Sequence, residues 1–231
     1  MQLALEGLRR AIDLIFALDP DLRDAAWRTL WVSGTATLIS LLLGVPAGVA
    51  LAMSRFRGRT VAVALLNTGM GLPPVVVGLF VMILLWRSGP LGALGLLYTP
   101  AAMVLAQTLI ALPLVAGVSL AAVQALPPRL RLQVEALGAT RLQTAWLLGR
   151  EARLLLLAAV MAGFGAVVSE VGASLMVGGN LRGSTRVLTT AIVLEASKGN
   201  FAGAIALGLI LLVLAYAINA VLTRLQQRGG G

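Results

Sequence analysis

Five long, continuously apolar stretches limit what this chain can fold into more than any other feature of its sequence. They cover residues 29–53, 60–86, 101–123, 154–179 and 202–222. Each stretch reaches the roughly 20 residues that a helix needs to cross the hydrocarbon core of a bilayer. Their hydrophobicity is continuous rather than alternating, which excludes the strands of a membrane barrel. The sequence therefore predicts an all-α membrane protein with about five transmembrane helices.

The composition agrees with a membrane protein and excludes several kinds of catalytic and metal-binding site. Hydrophobic residues make up 59% of the 231 residues and charged residues only 12%, which is more apolar surface than a soluble domain can bury. The chain has neither Cys nor His, which excludes thiol chemistry, disulfides and Cys/His zinc sites. A base–nucleophile pair for an intramembrane enzyme is also missing. We therefore expect no catalytic residue, no metal site and no cofactor bound by this chain.

The segments outside the five stretches complete the domain organisation. Residues 1–24 predict an amphipathic interfacial helix that ends near Asp19–Pro20. Its apolar side consists of Leu5, Leu8, Ile12, Ile15 and Phe16, and its charged side of Glu6, Arg9, Arg10 and Asp13. Residues 25–223 would form the transmembrane domain and residues 224–231 a flexible tail. A sixth apolar stretch, 187–194, is too short to span and predicts a re-entrant or interfacial helix.

The positive charges are distributed unequally between the connecting segments. Segments 54–59 and 124–153 and the tail together carry ten arginines against two glutamates, whereas the opposite loops carry three arginines and one lysine against one glutamate. Because arginine-rich loops stay in the cytoplasm, the N-terminus is predicted outside and the C-terminus inside. An aromatic belt at the predicted outer interface agrees with this orientation; its members are Trp27, Trp31, Trp86, Tyr98 and Phe201.

The longest polar segment, residues 124–153, lies on the predicted cytoplasmic side. Pro127 and Pro128 end the third span, and the helical pattern that follows is broken at Gly138. A second short helix begins near Thr140, with Leu142 and Trp146 on one side. Exposed apolar residues on such a pair of helices call for a partner. The alternative is a solvated loop with a little amphipathic structure.

This segment resembles the cytoplasmic coupling loop of the permease subunits of ATP-binding-cassette importers. That loop reads EAA, three residues, Gly, nine residues, then Ile-x-Leu-Pro, and Leu137-Gly138-Ala139 matches its usual Leu-Gly-Ala. Two departures make this loop a variant. The glutamate position falls on Leu132, three residues before Glu135, and the Leu-Pro position falls on Arg150-Glu151.

A second stretch is similar to the molybdate and tungstate permeases of that family. The runs SEVGASLMVGGN and RGSTRVLTTAIVLE, within residues 163–201, are closest to the tungstate-uptake type. The resemblance covers residues 29–222. It implies a type I importer permease that moves tungstate into the cytoplasm by alternating access, with molybdate or sulfate as the alternative.

The resemblance also implies partners and a location. They are a second copy of the chain, two cytoplasmic ATPase subunits, an extracytoplasmic oxyanion-binding protein and the lipid bilayer, without nucleic acid. ATP and Mg²⁺ would be bound by the ATPase, since this chain has no GxxxxGK[ST] loop. The expected location is the plasma (inner) membrane of a bacterium or archaeon. The ATPase-coupling residues would be Glu135, Ala136, Leu137, Gly138, Ala139, Thr140, Arg141, Leu142 and Trp146.

A translocation path or gate is expected along the polar and helix-breaking residues of the spans. The candidates are Pro73, Pro74, Glu170, Gly178, Gly179 and Asn180. Glu170 is the only acid within a predicted span, where a charge is costly enough to suggest a function. It could act as a structural or gate residue, or carry protons in a secondary transporter. The prolines could instead serve helix packing alone, and residues 178–180 a simple turn.

Overall fold

The computed structural model describes residues 2–16 and 20–228, and their regular elements are all helices. The helices are α1 (Gln2–Phe16), α2 (Pro20–Met53), α3 (Arg59–Met70), α4 (Pro74–Leu85), α5 (Pro100–Gln124), α6 (Pro128–Ala136), α7 (Arg141–Glu151), α8 (Arg153–Val168), α9 (Gly172–Gly178), α10 (Leu188–Ser197) and α11 (Phe201–Arg228), with a 3₁₀ turn at Gly92–Leu94. The predicted all-α class is confirmed. The short helix predicted at 187–194 is α10.

The N-terminal boundary differs from the prediction. Residues 20–24, which we assigned to the interfacial segment, are the first residues of α2. Proline is favoured at the first position of a helix, where its missing N–H costs nothing, so Pro20 begins a helix here. Asp19, where the interfacial helix was predicted to end, lies outside the described residues.

Helix α1 packs against the beginning of α11. Gly7 is buried at this contact, and a Cβ atom there would lie 2.3 Å from Ile205 Cγ2. Leu5, Leu8 and Ile12 remain exposed. The amphipathic helix therefore has a protein contact as well as an exposed apolar surface.

Only three helices are long and apolar enough to cross a membrane unbroken among the described residues: α2, α5 and α11. The predicted second span is two helices, α3 and α4, at an angle of 98°, and α7 and α8 meet at 75°. Counting each bent pair as one span gives up to five. The predicted fourth span, 154–179, is also discontinuous, because α8 ends at Val168 and α9 begins at Gly172.

The bundle is organised around α2 and α5. A Cβ atom at Gly48 of α2 would lie 2.4 Å from the Ala116 carbonyl oxygen of α5, so the glycine permits close approach of the two backbones. A core that includes Val32 and Met103 joins these helices to α4 and α9. A second cluster at the Met53 end of α2 attaches α7; it consists of Val49, Ala122, Val123, Leu148 and Ala152.

Candidate functional site: an exposed helix pair and two helix breaks

Two short helices, α6 and α7, project at the Met53 end of α2. Gly138 separates them with a φ of +81°, a left-handed conformation that favours glycine. Thr140 begins α7 with a capping box: its Oγ1 accepts from the Gln143 N–H at 3.3 Å, and Gln143 Oε1 accepts from the Thr140 N–H at 2.8 Å. The predicted break at Gly138 and helix start near Thr140 are therefore present.

The projecting surface of this helix pair is apolar. Leu137 is 87% exposed, Leu142 81% and Trp146 63%. On the opposite side of α7, Thr144 and Leu148 are buried against the bundle. The Arg150 guanidinium lies 5.4 Å from the Trp146 ring centroid, within cation–π range. Large apolar side chains at this exposure are typical of a surface that contacts protein or membrane.

The remaining predicted coupling residues lie along the same element. Glu135, Ala136 and Arg141 are exposed, and Ala139 is half-buried. A groove of about 980 Å³ lies between this element and the end of α2. Its lining combines charged and apolar side chains; they are Ala50, Met53, Ser54, Arg55, Phe56, Arg131, Glu135, Ala139, Arg141, Leu142, Thr144 and Ala145.

Arg131 is a residue of this element that the sequence analysis missed. Its Nε donates to Glu135 Oε1 at 2.8 Å, and its Nη1 donates to the Met53 carbonyl oxygen at 2.9 Å. The pairing with Glu135 has a sequence signal, the spacing of four residues on a helix. The contact with Met53 has none, since 78 positions separate the two residues.

The two prolines mark a sharp break between two helices, within the stretch 60–86 that was predicted as one span. Pro73 precedes α4 in an extended conformation, and Pro74 is the first helical residue. Helix α4 then packs closely on α9: a Cβ atom at Gly78 would lie 2.5 Å from the Ala173 Cα. A Cβ atom at Gly172 would likewise meet Val75 Cγ2 at 2.4 Å. The break before α4 and the break before α9 therefore adjoin each other.

Glu170 occupies the break between α8 and α9 and is not part of a continuous span. Its side chain is only 6% exposed. Oε1 accepts from the Ala173 N–H at 2.7 Å, and Oε2 accepts from the Ser174 N–H and hydroxyl, each at 2.9 Å. The carboxylate therefore caps the first turn of α9, whose N–H groups have no intrahelical acceptors.

The polar contacts of Glu170 extend to α5. Gln107 Nε2 donates to Ser174 Oγ at 3.2 Å, so the hydroxyl accepts from the amide and donates to the carboxylate. The Thr189 hydroxyl donates to the Glu170 carbonyl oxygen at 2.9 Å. Gln107 Oε1 is buried and has no hydrogen-bond partner among the described residues. Gln107 and Ser174 escaped the sequence analysis because they lie 67 positions apart.

The segment 178–180 forms the predicted turn at the other end of α9. Gly179 (φ +69°) and Asn180 (φ +53°) are both left-handed and end the helix. The Asn180 amide donates to the Thr190 carbonyl oxygen at 3.3 Å, and its Oδ1 accepts from Arg186 Nε at 3.3 Å. A Cβ atom at Gly179 would lie 2.8 Å from Tyr98 Cδ1. The turn is therefore packed between the segment before α5 and α10.

The predicted site residues fall into two separate regions. Pro73, Pro74 and Glu170 lie at adjoining helix breaks, and residues 178–180 lie one short helix away from Glu170. The coupling residues lie apart, on the helix pair near Met53. Residues 2–16 and 20–228 hold no group of three or more acidic side chains that could bind a metal ion. Broken apolar helices and an exposed apolar helix pair are together typical of one class of molecule, a membrane-embedded transport subunit.

Comparison with known proteins gives the family. The profile described as "binding-protein-dependent transport system inner membrane component" matches residues 44–229, and the chain belongs to this family. It is 47% identical to a probable anion ABC transporter permease protein of Haloferax volcanii, over 88% of this chain and 90% of the relative. It is 40% identical to the tungstate uptake system permease protein of Peptoclostridium acidaminophilum, over 98% and 100%.

A solved structure shares the fold. An inward-facing structure of the MetNI methionine ABC transporter superimposes with a TM-score of 0.77 over 92% of this chain and 97% of that chain, at 23% identity. The predicted similarity to importer permeases in fold and family is confirmed. This similarity concerns the fold and assigns no functional role to any residue of the site.

Proposed function

We propose that this chain is the membrane-spanning subunit of an ATP-driven importer that carries tungstate, or a closely related oxyanion, into the cytoplasm. The observation that carries the proposal is the exposed apolar helix pair around Gly138 in a chain of this family. The substrate is proposed from the 40% identity to a relative named for tungstate uptake over nearly the whole chain. Molybdate and sulfate are the alternative substrates, because both are tetrahedral dianions of similar chemistry.

The helix pair α6–α7 would dock on a separate cytoplasmic ATPase that binds ATP and Mg²⁺. Leu137, Leu142 and Trp146 would enter a groove on that partner, and burying a large apolar side chain contributes about 1.5–3 kcal/mol. The other predicted coupling residues, Glu135 to Arg141, would line the same contact. Two copies of this chain would bind two ATPase subunits.

A second copy of the chain would complete the translocation path. Helix α3 has no buried residue although its sequence is largely apolar, so it needs a cover of lipid or protein. We assign that cover to the partner copy. The breaks at Pro73–Pro74 and at Glu170 adjoin each other and would bend as the path alternates between its two openings. The turn at 178–180 would lie at the outer opening, which faces the oxyanion-binding protein.

The proposed orientation places α6 and α7 in the cytoplasm and the N-terminus outside, in the plasma membrane. Its support is the excess of arginine in segments 54–59 and 124–153 and in the tail. Trp27, Trp31, Trp86, Tyr98 and Phe201 are all exposed, as residues of an interfacial belt should be.

A proton-coupled carrier that uses Glu170 is the rival function. The Glu170 carboxylate bonds two N–H groups and a hydroxyl within the first turn of α9, so its burial is explained by a structural role at this helix start, without proton transfer. A carboxylate is also a poor ligand for an oxyanion, since like charges repel.

Reconstitution tests the proposed function. The chain is placed in proteoliposomes with its ATPase and binding protein, and uptake of tungstate, molybdate and sulfate is measured with and without ATP and with and without a proton gradient. We expect uptake that requires ATP, is independent of the gradient and is strongest for tungstate. Uptake that follows the gradient at constant ATP would instead support the proton-coupled carrier.

A further inference from the structure

Helix α2 is bonded at its Met53 end to the helix pair α6–α7. The last carbonyl oxygens of a helix lack intrahelical donors, and a cation near them is favourable. Arg131 of α6 supplies a donor and a positive charge at this position. Its Nη1 donates to the Met53 carbonyl oxygen at 2.9 Å. The same guanidinium holds Glu135 through Nε at 2.8 Å. One side chain therefore ties the first helix of the docking element to the end of α2.

The other end of α2 is bonded to residues 181–188, which comprise the segment before α10 and the first residue of α10. Asp21 pairs with Arg182, whose Nε donates to Oδ1 at 3.0 Å. The Arg28 guanidinium donates to the Gly183 carbonyl oxygen, and the Leu188 N–H donates to Thr29 Oγ1 at 2.9 Å. Three separate contacts thus hold this segment to the first turns of α2.

Between these ends α2 is continuous. Its 34 residues span about 50 Å at 1.5 Å per residue. Along its length, the Ser40 hydroxyl donates to the Thr108 carbonyl oxygen of α5 at 3.2 Å. The Ser33 hydroxyl donates to the Val167 carbonyl oxygen at 3.4 Å, next to the break that holds Glu170. Pro46 lies inside the helix and removes one backbone hydrogen bond, yet α2 continues through it as one span without a sharp bend.

We propose that α2 is the strut that transmits movement of the α6–α7 helix pair to residues 181–188, and that Arg131 is the positioning residue that clamps its Met53 end. The inference rests on the proposed function, because the movement would come from the ATPase. It goes beyond that function because it names one helix, with a contact at each end, as the part of the chain that transmits the movement. A route through α5 or α8 alone would leave both clamps dispensable.

The test compares Arg131→Ala with Arg129→Ala in the reconstituted transporter. Arg129 is a matched control: it is exposed on the same helix and, within the described part of the chain, has no hydrogen-bond or ion-pair partner. Three quantities are measured: ATPase association, ATP hydrolysis, and tungstate uptake per ATP hydrolysed. A nitroxide on Ser184→Cys, simple to place in a chain without cysteine, reports whether ATP changes the mobility of residues 181–188.

We expect Arg131→Ala to keep ATPase association and hydrolysis while uptake per ATP falls by roughly fivefold to tenfold, the size of one lost hydrogen bond of ordinary strength. The nitroxide at Ser184→Cys should then lose its response to ATP. Arg129→Ala should match the wild type in every measurement. Equal uptake per ATP and an equal nitroxide response in the two variants would overturn the proposal that α2 transmits this movement.

A second pair of variants covers the case in which Arg131→Ala fails to assemble. Asp21→Asn weakens the clamp at the other end of α2, and Asp13→Asn on α1 is its control. We expect a smaller loss of uptake per ATP in Asp21→Asn, about twofold to fivefold, because this ion pair is exposed and two further contacts remain at this end of α2. Helices α6 and α7 stay intact in this variant, and an unchanged ratio would overturn the proposal. A wild-type complex without ATP-driven uptake would instead refute the proposed function itself.

Discussion

The Glu170 carboxylate and the Ser174 hydroxyl lie 2.9 Å apart, one helical turn from each other at the start of α9. The backbone N–H of Ser174 donates to the same oxygen, and that of Ala173 to the other. A charge buried in an apolar bundle is costly unless hydrogen bonds satisfy it. Here two buried N–H groups of a helix start, which have no intrahelical acceptors, bond the two carboxylate oxygens, which makes Glu170 a local cap for α9.

Glu170→Gln should weaken this cap and leave transport independent of a proton gradient. An amide has one acceptor oxygen, so one N–H of α9 would face an NH₂ group. An unsatisfied buried donor costs about 1–3 kcal/mol, which thermal unfolding in detergent measures as a lower Tm. ATP-driven tungstate uptake should continue at a reduced rate with and without a gradient. Glu170→Leu removes every acceptor and should assemble poorly.

The exposed Glu151 provides a matched control for that substitution. Glu151→Gln removes the same charge from a side chain outside the bundle and should change neither the Tm nor uptake. An unaltered Tm in Glu170→Gln would contradict the capping role. Loss of wild-type uptake on removal of the gradient at constant ATP would favour a proton carrier.

Local signals allowed much of the helix pair α6–α7 to be predicted. The left-handed glycine and the Thr140 cap depend on residues within a few positions of each other, and both are visible as sequence patterns. The exposure of Leu142 and Trp146 also follows from their place on a short helix whose other side is buried. Periodicity therefore predicted α7 and its apolar surface.

Contacts between distant residues could not be predicted in this way. Hydropathy indicated residues 60–86 as one span, but it carries no information on the direction of a helix axis. The axis of α4 lies at 98° to that of α3, after the break that follows Met70. The capping of α9 by Glu170 required knowing that α8 ends at Val168. The clamp between Arg131 and Met53 depends on tertiary packing alone, since nothing in either local sequence indicates the other.

Gly138→Glu should separate docking from membrane insertion. Open space surrounds the position where a Cβ would lie, so the cost comes from the φ of +81° rather than from a clash within this chain. A left-handed conformation costs an ordinary residue about 1–2 kcal/mol, and a charge is added on the docking surface. We expect normal membrane levels and loss of ATPase association, measured by co-purification.

Gly138→Asn is the informative companion variant. Asparagine tolerates a left-handed conformation far better than glutamate and adds no charge. It should keep most ATPase association, and Gly138→Ala should fall between the two. Full coupling in Gly138→Glu would place the docking role of this element in doubt.

The turn between α10 and α11 should lose stability in acid. Lys198 donates a hydrogen bond to the Glu195 carboxylate, Asn200 donates a second, and together they hold the pKa of Glu195 below its usual value. A lowered folded-state pKa gives stability that is complete above the unfolded value and is lost as the pH falls through the lowered one. The pair is partly exposed, so the effect should stay below about 1 kcal/mol.

Hydrogen exchange checks this pH dependence. The Gly203 N–H bonds to the Asn200 side chain, so its protection should fall on acidification after correction for intrinsic exchange rates. Glu195→Gln should show reduced protection at neutral pH and no further change in acid. Protection that rises as the pH falls would contradict a lowered pKa for Glu195.

Single cysteines should report opposite sides of the membrane for the two ends of α2. Leu142 is 81% exposed beside the Met53 end and leaves the Thr140 cap intact when replaced. Ser184 lies in the segment bonded to the Pro20 end. Because the chain has no native cysteine, each label is unambiguous.

We expect Ser184→Cys to react with a membrane-impermeant maleimide on intact cells. Leu142→Cys should react only after the cells are opened, because arginine-rich segments stay in the cytoplasm. The reverse pattern would put α6 and α7 outside, away from any ATP, and would refute the orientation and the docking role together.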